Sequence, residues 1–380
     1  MMTGRKTLNR KKQKKKTNVL TVLILFNASV AAYFMFSMSS SEKTNNLETS
    51  VIDKMYSTNH VLQSSMIHKD ADDVWIGILK RGMKVMEKNN FKDHLAVIEV
   101  GVFRPKQILP AVKAKFHTYC LEPSPVSFHE IERTLAIRVK EDPWIEEFVH
   151  LYNVAAGAES GIMLDFTSTG TTADHVGKFS MWTMKKEEMS DAEAEAANIP
   201  KWKIGTTVQV PSLKVDDLII SNTVKPSNSA ALSKGSHPPK IDNVWALKID
   251  TQGFEPSVFK GLKESIKQHK IQYIITEYWP NGMALLHDSP DKCDLAVSML
   301  TDIASAGYTL YALPLVGHPH ALTEEVRFAL RKWRDRPLND LKADCQFILD
   351  LEKRFPKEGY HMGYWTDILA VAPGAEPIDF

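Results

Sequence analysis

The sequence predicts an α/β fold, a mostly parallel sheet with helices on both faces. Three observations lead there. Short apolar runs rich in Val, Ile and Tyr alternate from Val74 to Leu313 with amphipathic stretches at helical spacing. The last apolar run, TDILAVAP (366–373), is placed to pair antiparallel beside YTLYALP (308–314). A 43% hydrophobic content in 380 residues is enough to bury a full core.

In chain order, VWIGILKRGMKVMEK spaces Ile76, Leu79, Met83 and Met86 as one helical face, which predicts a helix lying on the sheet. HLAVIEV then reads as a strand, KQILPAVKAKF as a helix, HTYCLEP as a strand and PVSFHEIERTLAIRVKED as a helix, and EEFVHLYNVAAG closes the first half as a strand. The second half runs NVWALKID (strand), PSVFKGLKESIKQHK (helix), IQYIITEYW (strand), DLAVSMLTDIASAG (helix) and YTLYALP (strand). Two segments interrupt this alternation. Ser221 to Asp242, crowded with Pro, Ser and Lys, reads as a surface loop, and Glu324 to Lys357 reads as helices inserted before the last strand.

The N-terminus has its own organisation. Met1 to Lys16 carries eight of the 47 basic residues and no acid, so the formal charge of +1 hides a remainder near −7. That balance disfavours a nucleic-acid partner, which needs a basic face. Residues 18–38, NVLTVLILFNASVAAYFMFSM, hold no charge and are long enough to cross a bilayer after the basic tail of residues 1–17. The flanking charge predicts a signal anchor of a type II membrane protein, with the C-terminal part in the lumen of the endoplasmic reticulum or Golgi. The rival reading is a signal peptide cleaved near Ser29, Ala31 and Ala32. Residues 39–73 read as a polar stem, and 74–374 as the folded domain. Of three cysteines, Cys293 and Cys345 could pair in an oxidising lumen, and Cys120 reads as a core residue.

In an open parallel sheet, ligands bind beyond the carboxyl ends of the strands where strand order reverses. That rule selects Glu99 and Gly101, Glu122, Asn153, Asp250 and Glu277. The first exit, VIEVGVFRPK, offers only Gly101, with Phe103 where a dinucleotide-binding turn needs its second glycine, so a pyrophosphate lacks a cradle and a dehydrogenase is disfavoured. Glu122, about 20 residues further on, is suited to ribose hydroxyls. S-adenosylmethionine, a nucleoside without pyrophosphate, satisfies both.

The ordered set VIEVGV, CLEPSP, NVAAGAESGIMLDF, VQVPSLKVDDLI, LKIDTQGFEPSVFKGL and YIITEYWP resembles the FkbM family of S-adenosylmethionine-dependent methyltransferases, across roughly Leu95 to Leu313. The resemblance implies a class I methyltransferase fold, a Rossmann-like three-layer sandwich whose seven-stranded sheet is mostly parallel with an antiparallel last strand. It further implies Glu99, Gly101, Glu122, Asn153 and Ala155 at the cofactor, and Asp250 and Glu255 in the family signature. Three positions depart from the family pattern: Glu99 stands for Asp, Pro105 for a loop glycine and Gln252 for the first glutamate of the signature.

Methyl transfer to a hydroxyl needs positioning and a base. Asp250, Glu277 and His175 are the candidates, with Glu255 either in the site or capping the following helix. A divalent metal is left open; the HPH triplet at His318–His320 lacks a third spaced ligand. The expected activity is O-methylation of a glycan or another small-molecule acceptor. The rivals are a type II membrane glycosyltransferase, for which VDDL (215–218) is the nearest acidic motif, and a non-catalytic domain on a degenerate methyltransferase fold.

Overall fold

The first helix, α1 (Ala71–Lys88), buries Trp75, Ile78, Leu79, Gly82 and Met86. This stripe is turned from the expected row, because Ile76 and Met83 are only half-buried. Gly82 is the reason. A Cβ there would lie 2.6 Å from the Trp245 indole nitrogen and 2.7 Å from the Phe116 ring, so the helix approaches the sheet along its glycine. The same indole donates a 2.8 Å hydrogen bond to the Ile78 carbonyl.

Described in this computed structural model are residues 71–169, 174–177, 184–185, 204–221, 224, 227, 238–313, 337–354 and 364–376. The basic tail, the 18–38 span, nearly all of the stem, the HPH triplet and the predicted helix EEVRFALRKW lie outside them. Among the described residues no helix is long and apolar enough to cross a membrane.

After α1 come β1 (Ala96–Val100), α2 (Pro105–Lys113), β2 (His117–Leu121), α3 (Pro125–Glu141), α4 (Ile145–Phe148) and β3 (Val149–Tyr152). The run EEFVHLY is therefore a helical turn followed by a strand. The second half holds β9 (Val244–Ile249), α5 (Glu255–Lys260), α6 (Lys263–Lys267), β10 (Ile271–Tyr278), α7 (Pro280–Leu286), α8 (Asp294–Ser305), β11 (Thr309–Ala312), α9 (Leu341–Arg354) and β12 (Thr366–Val371). These strands form one seven-stranded sheet in the order β11-β12-β10-β9-β1-β2-β3. Neighbours from β10 through β3 pair in parallel, and β12 alone runs antiparallel, to both β10 and β11. The order reverses between β1 and β9, as in a Rossmann-like doubly wound sheet.

Period-2 alternation divides the core. Val97, Ala246, Tyr273 and Leu369 pack under α1, and Cys120, Val149 and Leu151 pack under α2 to α4. Ile98, Leu247, Ile249 and Ile274 face the opposite layer, α5 to α9. A Cys293–Cys345 disulfide ties the start of α8 to α9, and Cys120 is free and buried.

Sequence periodicity misses two features. PSVFKGLKESIKQHK is two short helices, because Gly261 passes so close to the Gly157 carbonyl that a Cβ would lie 2.1 Å from it. Residues 155–213 build a second sheet, β4 (Ala155–Ala156), β8 (Ile204–Leu213), β5 (Met163–Ser168) and β6 (His175–Val176), in that order, with β7 (Met184–Lys185) beside β8. Ala155 and Ala156, expected to extend β3, pair with Ser212 and Leu213 of this sheet instead.

Candidate active site

A cavity enclosing about 680 Å³ of free space, its mouth included, opens at the carboxyl ends of β1, β2 and β9. Val100, Gly101 and Phe103 line it from β1, Glu122 and Pro123 from β2, and Asp250, Thr251 and Gln252 from β9. The second sheet supplies Ala155, Ala156, Phe166, Asp174, His175 and Val176. The strand-order reversal thus lies at this cavity, where neighbouring loops leave in opposite directions and part.

Gly101 has φ +80°, and a Cβ on it would lie 1.8 Å from the Asp250 carbonyl oxygen. The position requires glycine because two strand exits touch there. The Asp250 N–H also donates to the Val100 carbonyl at 3.0 Å, which fixes this contact.

Glu122 is buried, and its Oε1 accepts the Ser124 N–H at 2.7 Å. Burial pushes its carboxyl well above the usual range, Asp174 and Asp250 add to that, and the Ser124 donor opposes it. Asn153 does not line the cavity. Its Nδ2 donates to the carbonyl of Glu122 at 2.8 Å and to that of Pro123 at 3.4 Å, so it braces the β2 exit from behind.

Asp250 and Glu255, two acids of one loop, go separate ways. Glu255 is fully buried: its Oε1 accepts the Thr251 N–H and hydroxyl, both at 2.8 Å, and its Oε2 accepts the Gly253 N–H at 2.9 Å. It clamps the turn and stays out of the cavity. Burial raises its carboxyl to about 7 against the pull of these donors. Gly253, at φ +99°, lies against the Gly282 backbone, with 2.9 Å to a Cβ, so the turn accepts no side chain there. Asp250 faces the cavity, and its Oδ1 accepts the Gln252 amide at 2.8 Å.

Glu277 and Glu99 stand just behind the cavity. Glu277 is buried, 3.5 Å from the Gln252 amide through Oε1, and its Oε2 meets no donor among the described residues. Burial, then Asp250, Glu255 and Asp367, push its carboxyl well above the usual range. Glu99 sits in cross-strand register with Lys248. Burial raises it to about 7, with Lys248 opposing. Burial also works against the Lys248 charge, yet Asp72, bonded at 3.1 Å, together with Asp250 and Glu99 holds its ammonium above the ordinary value.

Other expectations need correcting. His175 lies in TSTGTTADHVGKF, whose Ser, Thr and Gly content suits a solvated loop, yet it is only 2% exposed and forms part of the cavity wall in β6. Its register with Thr167 in β5 places it there. Asp174 beside it accepts the Thr169 N–H and hydroxyl and the Ser168 hydroxyl. The acids of VDDL are committed elsewhere. Asp216 accepts the Glu264 and Ser265 N–H groups at the start of α6, and Asp217 accepts the Ser160 hydroxyl. Among the described residues, no group of three or more His, Cys, Asp or Glu is arranged to hold a metal ion.

Phe166, Asp174 and Thr251 line the cavity without having been marked by the sequence, and Phe103 and Gln252 were marked only as departures from motifs. Thr251 and Gln252 directly follow a predicted strand exit, and that adjacency was the available signal. No protein-family model matches the chain, and no curated protein matches it significantly.

Proposed function

We propose that this chain is an S-adenosylmethionine-dependent O-methyltransferase. The observation that carries the reading is the cavity at the strand-order reversal, with Gly101, Glu122 and Asp250 brought together from three adjacent strand ends. The order of the seven-stranded sheet supports it: among its described strands the antiparallel one is the last in sequence, inserted between β10 and β11, as a class I methyltransferase requires.

The residues fit this cofactor. Among the described residues no lysine or arginine lines the cavity, which suits a ligand with sulfonium and ammonium charges better than one with a pyrophosphate. Glu122, with one oxygen held by Ser124, is placed to take ribose hydroxyls, and Asn153 fixes the loop that carries it. Phe103, Ala155 and Phe166 offer apolar surface for a base. When bound, the cofactor supplies an electrophilic methyl group. Asp250 is the base that takes the proton of the acceptor hydroxyl, with Glu277 behind it and His175 the alternative on the second sheet.

The acceptor is a hydroxyl of a glycan or another secretory-pathway metabolite. The uncharged span 18–38 behind a basic tail supports a type II anchor with the domain in the lumen, and the Cys293–Cys345 disulfide supports an oxidising compartment. The glycosyltransferase reading gains nothing from VDDL, whose acids are already bonded.

The test is calorimetric titration of S-adenosylmethionine into the full-length protein in detergent, with Glu122→Ala as control. Micromolar binding that weakens at least tenfold in the variant is expected. A folded protein that binds no cofactor would refute the reading and favour a non-catalytic domain.

A further inference from the structure

Gln252 is the residue where this chain departs from the signature it resembles, and its geometry is unusual. Its φ is +56°, in the left-handed region that a residue with a long side chain seldom occupies without a reason. It lines the cavity. Its Nε2 lies 2.8 Å from Asp250 Oδ1 and 3.5 Å from Glu277 Oε1, so one amide group stands between two carboxyl groups that would otherwise face each other.

The electrostatic setting makes this placement consequential. Asp250 acts on Glu122 at the β2 exit, on Lys248 two residues back in β9, on Glu255 at the start of α5 and on Glu277 at the end of β10. Glu277 also faces Asp367 of β12. Lys248 is the cation in this set, and its ammonium is bonded to Asp72. The amide N–H groups of Gln252 are the neutral donors set between Asp250 and Glu277. A glutamate at 252 would add a third carboxylate at that point.

We infer that Gln252 is the positioning residue of the site: its amide holds one oxygen of Asp250, leaves the other for a ligand, and separates Asp250 from Glu277. The identity of that ligand rests on the methyltransferase reading. The positioning does not. The left-handed turn at 252 is then kept with a glutamine, where glycine would relax it, because the side chain is needed.

Two variants separate the side chain from the turn. Gln252→Gly accepts φ +56° without strain and removes the amide, so the turn relaxes while Asp250 and Glu277 lose the donor between them. Gln252→Glu keeps the size and replaces a donor by an acid. Thermal unfolding of the ligand-free, full-length protein would be followed from pH 5.5 to 8 for all three, then S-adenosylmethionine binding by calorimetry. The expected result is binding at least tenfold weaker in Gln252→Gly, which still unfolds cooperatively, and a midpoint for Gln252→Glu that drops progressively further below the parent as pH rises. Binding in Gln252→Gly within twofold of the parent would overturn the inference and leave Gln252 a turn residue. Should the parent bind no cofactor, the methyltransferase reading fails and the pH series alone decides: a widening gap for Gln252→Glu upholds the positioning, and parallel profiles overturn it. If Gln252→Glu does not fold at pH 8 but does at pH 5.5, that too is the widening gap.

Discussion

The seven-stranded sheet carries a cluster of titratable side chains at each end, and the two clusters are built differently. At the carboxyl ends of β1, β2, β9 and β10, Glu122 and Asp250 face a cavity, with Glu99 and Glu277 buried behind it. At the amino ends, His94, His117 and His150 pack on one another and on Phe148. His150 Nε2 lies 3.4 Å from His117 Nδ1, the His117 ring stacks on Phe148 at 5.1 Å, and His94 meets Phe148 edge-on at 4.8 Å. The difference follows from topology. Loops leaving the carboxyl ends diverge at the order reversal and leave a crevice, whereas the histidines fill the space between neighbouring strands with rings. Titratable groups around a crevice can serve a ligand. Stacked ones act on stability.

The two ends should also titrate in opposite senses. Burial, with the neighbouring ring adding to it, lowers His117 to about 4 and His150 to about 3, so the unfolded chain binds protons there before the folded one does. Their stabilising effect is present above pH 6.5 and is lost as pH falls toward 4. Glu99 and Glu255, raised to about 7, act the other way: the folded chain holds protons that the unfolded chain has released, so their contribution grows as pH falls from 7 toward 4.5.

The largest expected change tests whether either end can be disturbed from outside. The Cys293–Cys345 disulfide closes a sequence separation of 52 residues in the α8–α9 layer. Replacing both cysteines by alanine should cost about 3–4 kcal/mol in urea unfolding. The shape of the pH profile should not move, and a changed profile would break the separation between the two ends.

Next comes the clamp. Glu255→Ala strips three donors of their acceptor and should cost about 3 kcal/mol by the same measurement. A loss below about 1 kcal/mol would show that water replaces the carboxylate and that the turn holds itself.

The histidines' own contribution should fall by roughly 2 kcal/mol on acidification from pH 6.5 to 5, with the half-exposed His117 discounted, while the raised acids Glu99 and Glu255 offset it in the net profile. His150→Phe should abolish most of that fall, so that the variant gains on the parent as pH drops from 6.5 to 5. Unfolding midpoints across pH decide it, and an unchanged acid limb in the variant would place the sensitivity elsewhere. The smallest stability effect belongs to Asp250→Asn, within about 1 kcal/mol, because Asp250 is only half-buried and faces the cavity. Its effect should instead be lost methyl transfer in an acceptor screen, and a variant that retains turnover would move the base to His175.

Much of this was legible in the chain. Short apolar runs of five or six residues marked β1, β2 and β9, and the acid or glycine ending each run marked the cavity, because strand exits at an order reversal have nowhere else to point. The antiparallel last strand was legible from its position after the helical insertion. What tertiary packing decided is specific. The α1 stripe was set by Gly82 against Trp245 and Phe116, a contact between residues that are distant in sequence. The second sheet pairs β5 with β8 across some 40 residues whose alternation is weak, so no local period announced it and His175 read as solvated. Asp250 and Glu255 are both acids of one loop, equal by residue type. Only the fold gave one the cavity and the other the backbone of its own turn, since which carboxylate meets solvent depends on where Gly253 lets the chain bend.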